Sequence, residues 1–212
     1  ATLIRDSEIP IIGVNTGRLG FLADIAKDQI SKTIKQLINK RFRIDQRTLL
    51  KLESKQSIFG ELNFALNEVT ISRKDTTSMI TITTYINDQY LNSYWADGLI
   101  IATPTGSTGY SLSCGGPIVM PGSENFIITP VAPHNLNVRP LVISDKYEIK
   151  VKVEGRAKQF LVALDSRIQT MDAGLELTIK KESFKINMIE TETQDFSSTL
   201  RNKLLWGLDK RN

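Results

Sequence analysis

Eight short stretches in which apolar and polar residues alternate occupy most of the chain after Arg47. Alternation with a period of two is typical of half-buried β-strands, because successive side chains point to opposite faces of a sheet. The stretches are residues 49–53, 64–72, 79–86, 89–95, 148–154, 160–164, 175–180 and 184–189. Turn residues lie between two pairs of these stretches, Asn87 with Asp88 in one case and Ala173 with Gly174 in the other. Many short strands joined by tight turns predict an antiparallel β region, built as a sandwich or stacked sheets.

The first part of the chain has a different pattern. Residues 9–15 (IPIIGVN) are a nearly continuous apolar run that leads into a glycine-rich turn at 16–20. This pattern is typical of a buried parallel strand that meets its ligand-side loop. The run therefore either pairs with a distant segment or belongs to a sheet whose N-terminal part precedes this sequence, and we prefer the second interpretation.

Helical spacing appears twice. Four apolar residues after Asp28 recur on one face and predict a packing helix with Asp28 as its N-cap. They are Ile30, Ile34, Leu37 and Ile38. Residues 195–206 return to helical spacing and predict a terminal helix.

The composition limits the classes of function. A chain of 212 residues with 41% apolar residues can bury a substantial core, and no apolar run reaches the length of a membrane-spanning helix. The N-terminus has no signal-peptide pattern, so we expect a cytoplasmic protein with no membrane partner. One cysteine, Cys114, and one histidine, His134, argue against disulfides and zinc sites. The net charge of +4 comes from scattered basic residues, which argues against a nucleic-acid partner.

Most of the unusual composition lies in residues 96–122 (ADGLIIATPTGSTGYSLSCGGPIVMPG). A predicted apolar strand at 99–102 opens into a loop of glycines and hydroxyl residues, followed by a short helix that we expect to begin near Thr108. Backbone N–H groups and hydroxyls of such a loop suit the oxygens of a phosphate or sugar, although any surface turn uses the same residue types. Asp97, at the entrance of the strand, is either an acceptor for ribose hydroxyls or a turn residue.

Asn67 and Glu68 interrupt an apolar run. Adjacent residues of a strand point to opposite faces, so at least one of the two side chains faces an interior or a cleft. An Asn beside a Glu can read a base edge and a ribose hydroxyl. From the residues alone, a β-bulge or an edge position is the preferred explanation.

Common phosphate and nucleophile motifs do not occur in this sequence. It contains no G-x-x-x-x-G-K-[ST], and Gly13, Gly17 and Gly20 do not fit G-x-G-x-x-G. Ser107 lies in G-S-T-G rather than in a G-x-S-x-G nucleophile elbow. Hydrolase chemistry therefore has little support.

Four segments together resemble the NAD kinase family. They are GVNTGRLGFLADI at 13–25, the pair Asn67-Glu68, DGLIIATPTGSTGYSLSCGGPIVMP at 97–121, and ITPVAPHNLNVRPLVI at 128–143. The resemblance implies an α/β N-terminal domain, largely missing here, and a β-rich C-terminal domain of stacked antiparallel sheets, with NAD in the crevice between them. It implies a homo-oligomer, a dimer or tetramer, that uses ATP with a divalent metal, normally Mg²⁺, to phosphorylate NAD. The predicted division is 1–26 for the α/β remnant, 27–190 for the NAD-binding domain and 191–212 for a helical tail.

The resemblance also implies roles for individual residues. Asn67 and Glu68 hold the adenosine part of NAD, and Asp97 binds the ribose on the nicotinamide side. The remaining predicted NAD-binding residues are Thr108, Gly109, Tyr110, Ser111, Leu112, Ser113, Ala132 and His134. The loop predicted to lie against the phosphates contains Thr103, Thr105, Gly106 and Ser107.

This sequence departs from the family pattern at several positions. The family's GGDG motif, whose aspartate is assigned as general base, does not occur, so we assign no catalytic residue and no metal ligand. The first residues, ATLIRDSEIP, resemble the stretch that follows that motif, which predicts a preceding nucleotide-binding segment. Relatives often read D-G-Q where this sequence has Asp165, Ser166 and Arg167, and we assign no ligand role to Arg167. Trp95 stands where many relatives have a basic residue, and it either stacks on the ligand or packs.

Two other functions stay open from the sequence. A non-catalytic NAD(P)-binding module would hold the same dinucleotide without phosphoryl transfer. A lipid kinase of similar architecture would need an apolar acceptor channel, which the polar set of Asn67, Glu68 and Asp97 does not favour.

Overall fold

The computed structural model describes residues 1–17, 21–23, 25–75, 78–156, 158–191 and 196–204. The strands in these ranges are β1 Val14–Asn15, β2 Ile25–Ala26, β3 Phe42–Ser54, β4 Phe64–Ala65, β5 Glu68–Arg73, β6 Ile80–Ile86, β7 Gln89–Ala96, β8 Gly98–Ala102, β9 Asn125–Val131, β10 Leu141–Ser144, β11 Ile149–Glu154, β12 Gln159–Leu164, β13 Arg167–Asp172 and β14 Glu176–Thr191. The α-helices are α1 Ile30–Ile38, α2 Tyr110–Ser113 and α3 Phe196–Leu204, and 3-10 turns lie at Lys27–Gln29, Gly60–Leu62 and Gly106–Thr108.

The chain divides into two compact units. The larger unit contains Ala1–Leu3 and Thr48–Lys185, and the smaller contains Ile4–Arg47 and Ile186–Asn212. The finer division at residues 26 and 190 stays a prediction.

Two six-stranded sheets form the framework of the larger unit. The first has the order β10-β9-β8-β5-β12-β13, and the second has the order β4-β3-β14-β11-β6-β7. Neighbours such as β5 with β8 and β6 with β7 run antiparallel. Side chains from both sheets, including Ile71 and Leu99 of the first and Val151 and Ile179 of the second, share one buried core. The predicted stacked antiparallel sheets are therefore confirmed, and each such side chain contributes about 1.5–3 kcal/mol by its burial.

Several strand predictions needed correction. The stretch at 64–72 is not one strand, because the chain leaves the second sheet after β4 and enters the first at β5. The stretches at 175–180 and 184–189 are parts of the single long strand β14. Strands β9, β10 and β13 carry no clear alternation. Most of β9 is buried on both faces, and its sequence (NFIITPV) is accordingly apolar at most positions.

The two predicted turns have different roles. Asn87 and Asp88 have φ angles of 49° and 65°, as a tight hairpin between β6 and β7 requires. Gly174, with φ of 85°, lies between β13 and β14, which belong to different sheets. The turn at Ala173 and Gly174 therefore carries the chain from one sheet to the other.

In the smaller unit, β1 and β2 pair in parallel. The N–H of Ile11 donates to the carbonyl of Asn187 at 2.8 Å, and the N–H of Ile189 donates to the carbonyl of Ile11 at 2.8 Å. The run at 9–15 thus pairs with a distant segment, and the prediction that it is buried is wrong, because Ile9 is 57% exposed. The predicted turn at 16–20 lies partly outside the described residues.

The helices agree with the sequence only in part. Asp28 lies inside a 3-10 turn and Gln29 occupies the N-cap of α1, so the predicted cap is wrong. Ile34 and Ile38 are 50% and 75% exposed, so the predicted packing stripe does not reach a core among the described residues. Helix α3 confirms the described part of the terminal helical segment. None of the helices formed by the described residues has the length and apolar character needed to cross a lipid bilayer.

Candidate functional site

Three segments far apart in sequence meet at one end of the first sheet. Strand β5 lies between β8 and β12 and runs antiparallel to both. The start of β5 therefore lies beside the ends of its neighbours: Glu68 pairs with Ala102, and Val69 pairs with Leu164. This register brings the Asn67-Glu68 pair next to the loop after β8 and the turn after β12.

The carboxylate of Asp165 organises the backbone at this point. It accepts hydrogen bonds from the N–H groups of Leu66 at 3.0 Å, Asn67 at 2.8 Å and Glu68 at 3.2 Å. The N–H of Asp165 donates in return to the carbonyl of Glu68 at 3.0 Å. On the other side, the Thr103 hydroxyl donates to the Leu66 carbonyl at 2.6 Å, and its N–H donates to the Asn67 carbonyl at 2.9 Å. The short crossing between the sheets is thus held from both neighbouring strands.

Glu68 is the most perturbed acid of the site. Its side chain is half-buried, and burial followed by the negative charge of Asp165 raises its pKa from 4.5 to about 7. Its buried Oε2 has no hydrogen-bond partner within the described part of the chain. Buried polar atoms are normally bonded, so this oxygen is available to accept a hydrogen bond from a ligand hydroxyl.

The predicted phosphate-side residues are buried, and their hydrogen bonds include bonds to one another and to the neighbouring backbone at Leu66, Asn67, Pro104 and Val119. Thr103, Thr105, Gly106 and Ser107 are all buried. The N–H of Gly106 donates to the Thr103 hydroxyl at 3.1 Å, and the Ser107 hydroxyl donates to the Pro104 carbonyl at 2.7 Å. These bonds set the shape of the loop, and a direct contact of its residues with phosphate stays a prediction.

The predicted short helix is divided into two pieces. A 3-10 turn ends at Thr108, Gly109 follows, and α2 contains Tyr110, Ser111, Leu112 and Ser113. Helix α2 contacts β8, and the neighbouring Cys114 packs on a small core that includes Ile100 and Ala102 on the outer face of the first sheet. The buried hydroxyls of Ser111 and Thr129 are hydrogen-bonded at 2.8 Å, which ties α2 to β9. Leu112 is half-buried and Ser113 exposed.

Asp97 lies at the opposite end of β5 from Glu68. It forms a two-point ion pair with Arg73, with Nε–Oδ1 at 3.0 Å and Nη2–Oδ2 at 3.1 Å. Five residue steps of extended strand separate Glu68 from Arg73, a distance of about 16 Å. The two polar groups that the sequence singled out therefore lie apart along one strand rather than in one cluster.

Gly109 and Tyr110 lie between these two ends. A Cβ added at Gly109 would be 3.3 Å from Oε2 of Glu68, so this glycine lies against the carboxyl group. Burial raises the pKa of Tyr110, with contributions from Cys114 and from the charge of Asp97. The start of α2 therefore lies along a surface that extends from Glu68 towards Asp97.

Ala132 and His134 lie next to the Asp97 end. The N–H of Asp97 donates to the carbonyl of Val131 at 3.0 Å, which places the residues after β9 beside it. The N–H of His134 donates to the Trp95 carbonyl at 2.9 Å, and the two exposed rings lie 4.4 Å apart. Trp95 thus packs on His134, while the exposed Ala132 adopts a φ of 43°. A ligand contact of these residues stays a prediction.

The roles of Asp165 and Arg73 could not be predicted from local sequence patterns. Asp165 belongs to a segment that differs from the D-G-Q of relatives, and nothing in the sequence around Arg73 indicates a binding site. Neither residue belongs to a local motif, because their partners are 97–99 and 24 residues away in the sequence. The turn position of Asp165, with φ of 53°, becomes visible only when β12 and β13 are paired.

Comparison with known proteins gives the family. Residues 1–42 match the model of the ATP-NAD kinase N-terminal domain, and residues 66–191 match that of the C-terminal domain. A protein named NAD kinase from Flavobacterium psychrophilum is 61% identical over the whole chain, and one from Cytophaga hutchinsonii is 52% identical. The chain belongs to the NAD kinase family. Members of this family are kinases that transfer phosphate to NAD.

Solved structures of family members have the same fold. Yeast NADH kinase complexed with NADH matches 93% of this chain with a TM-score of 0.84 and 26% identity. An NAD kinase from Archaeoglobus fulgidus in complex with ATP matches 92% with a TM-score of 0.77 and 29% identity. The chain spans 72% and 73% of the two bacterial relatives and 60% of the yeast chain.

Proposed function

We propose that the protein is an NAD kinase that transfers the γ-phosphate of ATP to the 2'-hydroxyl of the adenosine ribose of NAD, giving NADP. The observation that carries the proposal is the separation of the two acid sites along β5. At one end Glu68 offers an acceptor oxygen that has no partner among the described residues, and Asp97 lies about 16 Å away at the other end. Two hydroxyl-binding carboxyl groups at this spacing suit the two riboses of an extended dinucleotide better than a lipid, which needs an apolar channel.

The adenosine end would be held by Asn67 and Glu68. The Asn67 side chain offers amide donors and an acceptor to a base edge, and Glu68 accepts a hydrogen bond from a ribose hydroxyl. Holding the ribose in one orientation supports transfer, because phosphoryl transfer asks the protein mainly for positioning and charge neutralisation. The loop from Thr103 to Thr108 would lie on the phosphate side.

The nicotinamide end would be held by Asp97. Its carboxylate is oriented by the two bonds from Arg73, which leaves its remaining acceptor sites for ribose hydroxyls. Tyr110, with a side chain 47% exposed, would cover the ligand between the two ends. Ala132 and His134 would border this end of the site.

The divalent metal belongs to the ATP side of the proposal. Among the described residues no group of three His, Cys, Asp or Glu side chains comes together as a metal site. These residues therefore do not fit a dedicated metal cage, and Mg²⁺ would arrive with the nucleotide phosphates, as is usual for this ion.

We assign the general base to no residue of this sequence. A homo-oligomer and a cytoplasmic location also remain part of the proposal.

The direct test is a coupled assay of the full-length protein. The protein is incubated with NAD, ATP and Mg²⁺, and NADP is measured with an NADP-specific dehydrogenase. We expect NADP to form only when all three are present. Saturable NAD binding without NADP would favour the non-catalytic module, and a folded protein that neither binds NAD nor forms NADP would exclude the proposed function.

We predict that Asp97→Ala weakens NAD binding about 10–100-fold, because it removes charge-assisted hydrogen bonds worth about 1.5–3 kcal/mol. Isothermal titration calorimetry with NAD measures the change. Glu154→Ala is the matched control, since it removes an exposed carboxylate from an ion pair with Lys152 outside the site. Equal affinity of the Asp97→Ala variant and the wild type would remove Asp97 from the NAD site.

A further inference from the structure

We infer that the side chains of Asp165 and Arg167 form a clamp, here called the crossover clamp, that sets the position of Asn67 and Glu68 for NAD. The inference rests on the proposed function, because it assigns positioning residues to the same site. Of these two residues, Asp165 agrees with the first position of the D-G-Q pattern and Arg167 departs from its last. Neither side chain needs to touch the ligand.

Asp165 holds the C-terminal half of the crossing. A crossing between two sheets leaves its backbone groups without a ladder, and such groups are costly when buried. The two carboxylate oxygens of Asp165 accept three N–H groups in succession, those of Leu66, Asn67 and Glu68. The carboxyl group uses both oxygens for these bonds, and an amide in its place would exchange one of the two acceptors for a donor.

Arg167 holds the N-terminal half. Its Nη1 donates to the carbonyl of Leu62 and its Nη2 donates to the carbonyl of Phe64. Its guanidinium carbon also lies 5.8 Å from the centroid of the Phe64 ring. The planar fork of arginine is suited to two parallel acceptors of this kind. Because Arg167 begins β13 of the first sheet and Phe64 begins β4 of the second, these bonds attach the two sheets to each other at the crossing.

The clamp provides hydrogen-bond partners for most of the backbone N–H and carbonyl groups of the crossing between β4 and β5. The N–H groups of residues 66–68 bond to Asp165, and the carbonyls of Leu62 and Phe64 bond to Arg167. Thr103 and the N–H of Asp165 take the carbonyls of residues 66–68. With the backbone fixed at these points, the Asn67 and Glu68 side chains leave it in set directions. Pre-organisation of this kind contributes to binding because less freedom is lost when the ligand arrives.

The test combines a backbone measurement with a ligand measurement on the full-length protein. Amide hydrogen exchange of residues 62–68 reports whether the clamp holds the backbone, and NAD calorimetry with KM values for NAD and ATP reports whether it positions the site. For Asp165→Asn we expect exchange at residues 66–68 to accelerate about 10-fold or more, as loss of a charge-assisted hydrogen bond implies. We expect the Kd and KM for NAD to rise about 10-fold, with the KM for ATP changed by less than about two-fold.

Two substitutions of Arg167 form a second series of variants, in which the number of donors falls stepwise. Arg167→Gln keeps one nitrogen that can donate in place of the two that Arg167 uses, and Arg167→Ala keeps none, so we expect a smaller loss of NAD affinity for the glutamine variant. The glutamine variant also keeps the inference testable if Asp165→Asn fails to fold. Asp172→Asn is the matched control, because it makes the same chemical change on the same hairpin at an exposed carboxylate that accepts a bond from Gln159. We expect it to match the wild type in both measurements.

The outcomes separate the two proposals. Unchanged exchange at residues 62–68 in Asp165→Asn would overturn the clamp. Faster exchange with unchanged NAD affinity, or an equal rise of the KM values for NAD and ATP, would overturn its positioning role. A wild type that neither binds NAD nor forms NADP would instead exclude the proposed function, and the exchange comparison would still decide whether the clamp exists.

Discussion

Replacing Gly106 by alanine is expected to destabilise the fold by about 3 kcal/mol, which is the upper end of the usual cost of overpacking a core. The same substitution is expected to weaken NAD binding by about 10-fold or more. An alanine Cβ would lie 2.1 Å from the carbonyl oxygen of Asn67, 2.5 Å from its carbonyl carbon and 2.8 Å from its Cα. All three are backbone atoms that no change of rotamer can move. Because Asp165 and Thr103 hold that backbone, relief of the clash must break hydrogen bonds on one side of the crossing.

Urea unfolding and NAD calorimetry on Gly106→Ala measure the two effects. Gly155→Ala is the control, since the nearest atom to its new Cβ would be 3.6 Å away on Ile80, an ordinary contact distance. We expect the control to stay within about 0.5 kcal/mol of the wild type, as most substitutions without steric conflict do. A Gly106→Ala protein with wild-type stability and affinity would contradict the close approach of the loop to Asn67.

Substitution of Glu68 by glutamine is expected to change how stability depends on pH. The folded pKa of Glu68, about 7, lies above its ordinary value of 4.5, so the folded state binds more protons between these values. Stability must then fall as pH rises through this window and level off above pH 7. A change from 4.5 to about 7 sets an upper limit of roughly 3 kcal/mol, which partial exposure of the carboxyl reduces to about 2 kcal/mol.

The Glu68→Gln variant has a side chain that cannot lose a proton, so it carries no buried negative charge at high pH. We therefore expect its melting temperature to exceed that of the wild type by about 4–8 °C at pH 8, with the difference vanishing near pH 4.5. Thermal denaturation at both pH values tests this, with the exposed Glu154→Gln as control. NAD affinity should fall in the same variant, because the carboxylate acceptor is lost. A melting difference that does not depend on pH would show that Glu68 is not the group that titrates near 7.

Local sequence patterns predicted much of the architecture. Alternation of apolar residues in stretches such as 79–86 and 89–95 predicted β6 and β7, and Asn87 with Asp88 predicted the hairpin between them. Strand β9 was not predicted, because burial of both faces removes the alternation of apolar and polar residues. The stripe of α1 was predicted as a packing face but is largely exposed at Ile34 and Ile38, since periodicity reports amphipathicity and does not identify the partner.

The candidate site was also predictable from the sequence only in part. The residue types of Asn67, Glu68, Asp97 and the loop at 103–109 were visible in the sequence, because each set lies within a few consecutive positions. Their arrangement was not, since the pairing register of β5 with β8 places Glu68 and Asp97 at opposite ends.

The sequence by itself determined the class of fold, the family and the polar side chains offered to a ligand, because these depend on residues that are neighbours in the chain. The tertiary structure alone decided that the chain changes sheets between β4 and β5 and that Asp165, 97–99 residues further on, holds the crossing. It also decided the raised pKa of Glu68, which requires burial and a second carboxylate brought close by strand pairing. Contacts of this kind depend on strand register and sheet order, which are set by the packing of the whole core and leave no local pattern in the sequence.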